Sequence, residues 1–299
     1  KCGDRLYWEN WAKEIGLIAH KFIERISKLI QSGVHKKAFN EYLKGLQRDL
    51  NPSVDAAQAI EMLAQHMITR PVFDALFSDY QFVNNNAVSR SMQRMIDLLQ
   101  EQAFEKDTEV LEKFYHSVRT NVGGIDNLEG KQTIIKNLYE KFFKGAFPLT
   151  VEKLGIVYTP VECVDFIIHS VNDILKSEFG TSLTEPNVHI LDPFVGTGTF
   201  ITRLLQSGLI RKEDMERKYL NEIHCNEIVL LAYYIADVNI ESVFHDITRR
   251  KTYLPYSGIC LTDTFQLAEK KHNELFTEFF QDNSKRVKKQ IATHVRVIV

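Results

Sequence analysis

Val188-His189-Ile190-Leu191-Asp192-Pro193-Phe194-Val195-Gly196-Thr197-Gly198-Thr199-Phe200 joins a short apolar run to Asp-Pro, a Gly-x-Gly turn and residues able to open a helix. In a doubly wound α/β sheet, strand, acid, glycine turn and helix in that order build the floor of a nucleotide-like pocket at the carboxyl end of the first strand. The details select among ligands. A dinucleotide loop needs glycine where Ile201 stands, and a phosphate-binding loop needs a Gly-Lys-Ser/Thr that the sequence lacks. What remains, an acid and a turn made of backbone alone, suits a ligand with a cationic amine and no phosphates.

Around this stretch the pattern alternates. Residues 188–191, 223–226, 258–262 and 295–299 read as short buried strands, separated by helical segments at 199–206, 229–239 and 269–290. Such alternation predicts a parallel sheet with right-handed crossovers. Upstream, from 8 to about 146, the spacing is helical throughout. Ile15, Ile18, Phe22, Ile26 and Ile30 fall on one helix face, and further helices are expected at 56–67, 71–77, 92–103, 110–118 and 131–143. Asn51-Pro52-Ser53, Asn84-Asn85-Asn86 and Gly123-Gly124 supply the turns, and Phe147-Pro148-Leu149 marks a boundary. The expected fold class is therefore α/β with an all-α N-terminal domain: a helical domain over 1–148, then a Rossmann-like domain over 149–299.

The acids at the strand ends carry the chemistry. Asp192 ends the first strand, where it either accepts from a ligand amine or caps a loop. Glu227 ends the second, the place of an acid that accepts from ribose hydroxyls. Its distance from Asp192 exceeds the roughly 20 residues of nicotinamide folds, which fits a longer first helix and loop over 201–220. Asp263 follows the third strand and either accepts from the exocyclic amine of adenine or caps the next turn. Each alone reads as an ordinary surface or turn acid; together, beside Gly196 and Gly198, they point into one crevice. Ahead of them, Thr159-Pro160-Val161-Glu162 reads as a capping box, with Thr159 as N-cap, Pro160 at the first helical position and Glu162 three residues after the cap. The helix that follows carries Val164, Ile167, Ile168, Val171 and Ile174 at apolar spacing, and its start offers N–H groups to a carboxylate. S-Adenosylmethionine, with its amine, carboxylate, ribose and adenine and no phosphate, is the candidate cofactor.

Composition narrows the class. A chain of 299 residues, 44% hydrophobic and 25% charged, is ordinary for a soluble globular protein and long enough for two domains. A net charge of −2 announces no nucleic-acid partner, so any DNA contact must come from local patches or from a part not present here. Cys2, Cys163, Cys225 and Cys260 are scattered and read as reduced thiols, and the ten histidines show no metal spacing. No apolar stretch reaches the roughly 18 residues of a membrane span, no secretory signal opens the chain, and a cytoplasmic location is expected. Lys285-Arg286, Lys288-Lys289 and Arg249-Arg250-Lys251 read as solvated faces before they read as phosphate contacts, and Tyr233-Tyr234 reads as packing.

Taken together, these residues resemble the amino-type DNA adenine methyltransferases, over about 155–299. Tyr158-Thr159-Pro160 looks like the family's leading motif, which helps hold the methionine carboxylate end. Asp192-Pro193-Phe194-Val195-Gly196-Thr197-Gly198-Thr199-Phe200 matches the glycine motif. Asn226-Glu227-Ile228 resembles the ribose-binding motif and Asp263-Thr264-Phe265 the adenine-contacting one. The resemblance implies S-adenosylmethionine as cofactor, DNA as partner and the N6 amine of adenine as methyl acceptor. In the helical half, Ile68-Thr69-Arg70-Pro71-Val72-Phe73-Asp74-Ala75-Leu76-Phe77 and Asn86-Ala87-Val88-Ser89 are similar to the coupler of large single-chain restriction-modification enzymes. That likeness implies flanking helicase-nuclease and target-recognition regions. One departure stands out: the family's catalytic Asn/Asp-Pro-Pro-Tyr/Phe motif follows the fourth strand, and no such tetrapeptide occurs in the sequence. With no initiating methionine and a last run, 294–299, that stops in mid-strand, the chain reads as an excised piece, its sheet truncated, inactive alone and holding no catalytic residue. Two rivals stay open: an S-adenosylmethionine-dependent enzyme acting on RNA or protein glutamine, and a helical interaction module with a vestigial cofactor pocket.

Overall fold

Short runs of Ile, Leu, Val and Cys between polar turns form the strands. Ile223–Glu227 and Ile259–Leu261 are buried on both faces, whereas in Val295–Ile298, also expected to be a buried strand, only Val297 is buried and Ile298 is 66% exposed. This computed structural model describes residues 5–33, 35–76, 82–100, 116, 120, 130, 159–267 and 279–299. The chain divides into two units. One holds 1–47, 53–156 and 277–280; the other holds 48–52, 157–276 and 281–299.

The second unit is built on four parallel strands: β1 (His189–Asp192), β2 (Ile223–Glu227), β3 (Ile259–Leu261) and β4 (Val295–Ile298), in the order β3-β2-β1-β4. Every residue of β2 is buried. From β1 the chain winds first to β2 and β3 on one side, then returns to place β4 on the other. The order therefore reverses between β1 and β4, and a crevice outside the carboxyl ends of the strands opens at such a reversal. Glycine-turn residues lead directly into a helix at Thr199–Gln206, as the sequence predicts. The helix after β2 runs Leu230–Thr248, longer than the 229–239 expected, and it is buried nearly all round. A helix buried on all sides carries little amphipathic signal, which is why its length was hard to read.

Three expectations need correction. The capping box at Thr159 does not form. The helix starts at Val161, Pro160 is its N-cap with no side-chain capping bond, and the Pro160 carbonyl accepts from Cys163 and Val164 N–H at 3.0 and 3.1 Å. A start one residue late moves Thr159 outside the helix and Glu162 out of reach of a reciprocal bond. Of the apolar residues expected on its inner face, Val164 and Ile168 are buried, whereas Ile167 and Ile174 are exposed. Second, the expected helix 269–290 begins at Gln281 among the described residues, because Phe280 adopts φ +62°, a conformation that ends a helix. Residues 268–278 lie outside the described residues.

The third correction is in the helical unit, whose described elements are α1 (Arg5–Gln31), α2 (Lys36–Asp49), α3 (Ala56–Leu76), α4 (Phe82–Asn85) and α5 (Ala87–Gln100). The sequence splits 56–67 from 71–77 at Pro71, yet α3 runs through it. Proline deprives the carbonyl four residues back of its N–H and disfavours a helix interior by about 3 kcal/mol. Burial of Leu63, Ala64, Ile68, Val72 and Phe73, spread around most of α3, outweighs that cost. A reciprocal capping box does form, at its start: Gln58 N–H donates to Asp55 Oδ1 at 2.8 Å and Asp55 N–H to Gln58 Oε1 at 3.0 Å. Within the unit, Phe22, Ile26, Tyr42, Leu46, Met92 and Met95 are buried, while Ile18 and Ile30 of the predicted stripe are half-buried. Of the helices expected at 110–118 and 131–143, all but residue 116 lies outside the described residues.

Candidate functional site

Asp192 stands at the carboxyl end of β1, and only 3% of its surface is exposed. Oδ1 accepts the Phe194 N–H at 3.1 Å, closing the Asp-Pro turn; Oδ2 is buried with no hydrogen-bond partner. Burial drives the carboxyl up to about 7, against the pull of the Phe194 N–H. A buried carboxylate with one oxygen unpaired is costly, and a cationic donor seated beside it removes that cost.

The turn that follows is held from three sides. Val195 N–H donates to the Asn226 carbonyl at 3.0 Å, Gly196 N–H to Glu227 Oε2 at 2.8 Å, and Asn239 Nδ2 to the Thr197 carbonyl at 3.0 Å. The two glycines differ in what they require. Gly196 has φ +56° and open space where a side chain would stand. Gly198 has φ +89°, and a Cβ there would lie 3.3 Å from the Ala236 backbone of the helix after β2. One glycine leaves the crevice clear, whereas the other lets two helices close on each other. Pro193, Thr197, Thr199 and Phe200 are half-buried around the turn.

Glu227, at the end of β2, is held by backbone donors on both oxygens. Its Oε1 accepts from the Ile228 and Val229 N–H groups at 2.9 and 2.8 Å, while Oε2 takes the Gly196 N–H. Burial raises its carboxyl to about 7, the three backbone donors oppose that rise, and the Asp192 charge adds to it. The carboxylate thus ties the start of one loop to another. Oε2 retains a lone pair beyond its single bond, so acceptance from a hydroxyl remains open to it. Ile228 stands at the rim, 37% exposed.

Past β3, Asp263 Oδ1 accepts the Phe265 N–H at 3.0 Å, so the turn-capping role is realised. Its Oδ2 accepts from Asn51 Nδ2 at 2.7 Å. Thr264 turns away from the crevice mouth: its hydroxyl donates to the Pro193 carbonyl at 2.6 Å and accepts from Asn226 Nδ2 at 3.1 Å. It thereby laces the three strand ends together. Phe194 and Phe265 are 61% and 73% exposed, with ring centroids 5.4 Å apart, and form an aromatic pair at the carboxyl ends of β1 and β3. Thr159 and Pro160 are exposed at the start of the helix Val161–Phe179, and Tyr158 lies outside the described residues.

Sequence reading gives Asn226, Asn239 and Asn51 no bracing role, although Asn226 stands in the stretch that resembles the ribose-binding motif and Asn51 in a predicted turn. Asn226 is fully buried, with Oδ1 unpaired and Nδ2 on Thr264; nothing in a strand sequence marks an Asn that works by bracing its neighbours. The basic run at 285–289 resolves into different roles. Lys285 is exposed, 3.6 Å from Asp282, whereas the Arg286 guanidinium turns inward and donates to the Ile259 carbonyl at 3.3 Å. Tyr233 and Tyr234 are packed in the core.

Comparisons with known proteins place the chain in a family. Residues 7–130 match the model of the coupler domain of Type ISP restriction-modification enzymes, and residues 130–284 match that of the N-6 DNA methylases. A nuclease-deletion mutant of the Type ISP restriction-modification enzyme LlaGI, solved with a DNA substrate mimic, superimposes with a TM-score of 0.88 at 45% identity. That match covers 100% of this chain and 24% of the mutant chain. The ATP-dependent Type ISP enzyme LlaBIII, solved bound to DNA, gives 0.90 at 47% identity, covering 99% of this chain and 21% of that one. The DrdV–DNA complex gives 0.83 at 31%, covering 98% and 28%. The chain therefore spans about a quarter of the length of the solved proteins it matches. Comparison with curated protein sequences returned no match.

Proposed function

Because the chain belongs to the N-6 DNA methylase family, joined here to a Type ISP coupler domain, we propose that its strand-end crevice binds S-adenosylmethionine and that the whole protein methylates the N6 amine of adenine in DNA. The observation that carries this reading is the buried, unpartnered Oδ2 of Asp192 beside a glycine turn at the switch point of the sheet. That oxygen fits the ammonium of the cofactor's methionine moiety. When bound, the cofactor supplies an electrophilic methyl on sulfonium; all else is positioning by the protein.

Asp192 accepts from the amine and fixes the methionine end. Backbone at Gly196 approaches the ligand without a side chain between. Glu227 accepts from ribose hydroxyls on its remaining lone pair, and Asp263 from the adenine amine. Pro193, Phe194, Thr197, Thr199, Phe200, Ile228, Thr264 and Phe265 form the walls and their braces, while Tyr158, Thr159 and Pro160 belong to the methionine-carboxylate end. Holding a donor in one orientation is the proximity part of catalysis, whose effect reaches several kcal/mol. The acceptor amine lies in a base stack, so the reaction also requires the base to be extruded.

DNA as substrate is supported by the coupler match and by neighbours solved as DNA complexes. These same findings leave the RNA, protein-glutamine and vestigial-pocket alternatives without a supporting observation. The domain division at 148/149, the flanking motor, nuclease and recognition regions, and a cytoplasmic location belong to this proposal too. Among the described residues, no helix is long and apolar enough to cross a membrane. Two measurements test the proposal. Calorimetry with S-adenosylhomocysteine should show saturable binding by the chain that Asp192→Ala abolishes. Labelled methyl transfer by the full-length protein should place label on adenine N6 of duplex DNA; label on RNA, protein or cytosine instead would overturn the substrate assignment.

A further inference from the structure

Asp263 lies within a set of contacts that leaves little freedom to its carboxylate. The segment Arg48–Pro52 comprises the last two residues of α2 and the turn after it, yet belongs to the unit that contains the sheet. It is fastened at the end of β3 at successive points. Thr262 Oγ1 donates to the Asp49 carbonyl at 2.6 Å, Asp263 N–H to the Leu50 carbonyl at 3.3 Å, and Asn51 Nδ2 to Asp263 Oδ2 at 2.7 Å. Asp49, 6% exposed, is itself pinned, accepting the Ser284 hydroxyl on its carboxylate and Asn283 Nδ2 at 3.2 Å. Asn283 in turn exchanges bonds with both the N–H and the carbonyl of Leu261 at 3.0 Å. The segment is thus sewn to the last residue of β3 and the two after it.

We propose that Asn51 is a positioning residue for adenine recognition: it fixes the orientation in which Asp263 accepts the exocyclic amine of the cofactor's adenine. The inference rests on the functional reading above. Two donors approach the carboxylate from different groups, Phe265 N–H on Oδ1 and Asn51 Nδ2 on Oδ2. Each oxygen keeps one lone pair, and the plane in which those lone pairs lie is set by the two bonds already made. An acceptor held in place before the ligand arrives loses no rotamer freedom on binding, which raises its selectivity for a donor at the right place. Asn51 thereby separates adenine from purines that lack the amine without touching either.

The test is binding of two ligands to the full chain. One is S-adenosylhomocysteine; the other is its analogue with hydrogen in place of the six-amino group. The unaltered chain should prefer the amine-bearing ligand by roughly tenfold or more, the value of one hydrogen bond to a charged acceptor. Asp263→Ala should remove that preference. Asn51→Ala, and Asn51→Asp by repulsion, should reduce it to about twofold while leaving affinity for the deaminated analogue within about twofold of the parent. An Asn51→Ala chain that keeps the full preference, or loses affinity equally for both ligands, overturns the positioning role. Retained preference in Asp263→Ala overturns the acid's role in reading the amine and Asn51's with it. Failure of the unaltered chain to bind S-adenosylhomocysteine at all overturns the pocket assignment itself.

Discussion

At the level of single residues, Asp192 combines two opposed demands. Its carboxyl is raised by burial to about 7 in the unliganded fold, whereas an ammonium ligand requires it ionised. Affinity for S-adenosylhomocysteine should therefore fall as pH drops from 8 to 6, and binding near pH 7 should release protons, measurable by calorimetry in buffers of different ionisation enthalpy. Asp192→Asn should bind at least tenfold more weakly at pH 8, since a charge-assisted bond contributes about 1.5–3 kcal/mol, and its remaining affinity should vary less with pH. A wild-type affinity that rises on acidification would contradict the assignment. The glycines give a second contrast. Gly196→Ala places a methyl group in open space at positive φ, so it should cost about 1 kcal/mol of stability yet weaken ligand binding strongly. Gly198→Ala meets the backbone of Ala236 and should destabilise the fold more than Gly196→Ala does. Urea unfolding beside calorimetry on both variants checks the ordering.

Among the elements, the turn entering β2 relies on a charge taken wholly out of water. Lys218 is fully buried in a π-helical turn, Lys218–Glu222. Its ammonium donates to the Glu185 and Val188 carbonyls at 2.7 and 2.9 Å and pairs with Glu222 at 2.8 Å. Glu222 also accepts from the Asn187 N–H at 3.0 Å and pairs with Arg217. These bonds fasten the start of β1 to the start of β2, opposite the ligand end of the sheet. Lys218→Ala takes one of the two cations from buried Glu222 and leaves the Val188 carbonyl without its ammonium donor, and should destabilise by about 1–3 kcal/mol. Lys218→Met keeps the aliphatic bulk and should still be destabilising, because the polar partners stay unsatisfied. Chemical denaturation of both variants is the measurement; a neutral Lys218→Ala would show that the turn repacks without the charge.

Across the whole molecule, buried titratable groups set opposing pH dependences. Burial lowers His66 to about 3 and His224 to about 4. Unfolded imidazoles take up protons below about 6.5, so these two groups withdraw stability as pH falls through about 6.5 to 4. Asp192 and Glu227 act the other way, since their folded-state carboxyls lie near 7 and the unfolded ones near 4. Their folded forms bind protons that the unfolded chain has released, so stability declines as pH rises from about 4 to 7 and changes no further above. The two sets largely cancel between about pH 4 and 6.5. A double variant, Asp192→Asn with Glu227→Gln, should shed the carboxylate part. Relative to the parent, its stability should rise from pH 4 to pH 8, by up to roughly 8 kcal/mol when the two shifts are added, net of the backbone bonds to Glu227 that a glutamine cannot keep. Urea midpoints across that range decide it; a difference independent of pH would mean the carboxyls titrate normally in the fold.

The order of strands and helices, the glycine turn and the acids at Asp192, Glu227 and Asp263 were legible in the sequence, because short apolar runs, helical spacing, turn chemistry and a strand-end carboxylate leave local marks. Local marks also located the resemblance to DNA adenine methyltransferases. Other features answered to burial instead. Pro71 breaks a helix by its own propensity, and α3 continues because its residues on both sides of the proline are buried. Asp55 and Gln58 form the capping box that Thr159 and Glu162 promised, since a cap depends on where the chain enters its first turn. Glu227, read as a ribose acceptor, also braces the glycine turn, and Thr264 braces the strand ends, because each lies within reach of backbone groups remote in sequence. Asn51 reaches Asp263 across 212 positions of chain. Hydrogen bonds that long in sequence leave no period and no motif, so their partners are fixed only when the sheet and its loops close around them.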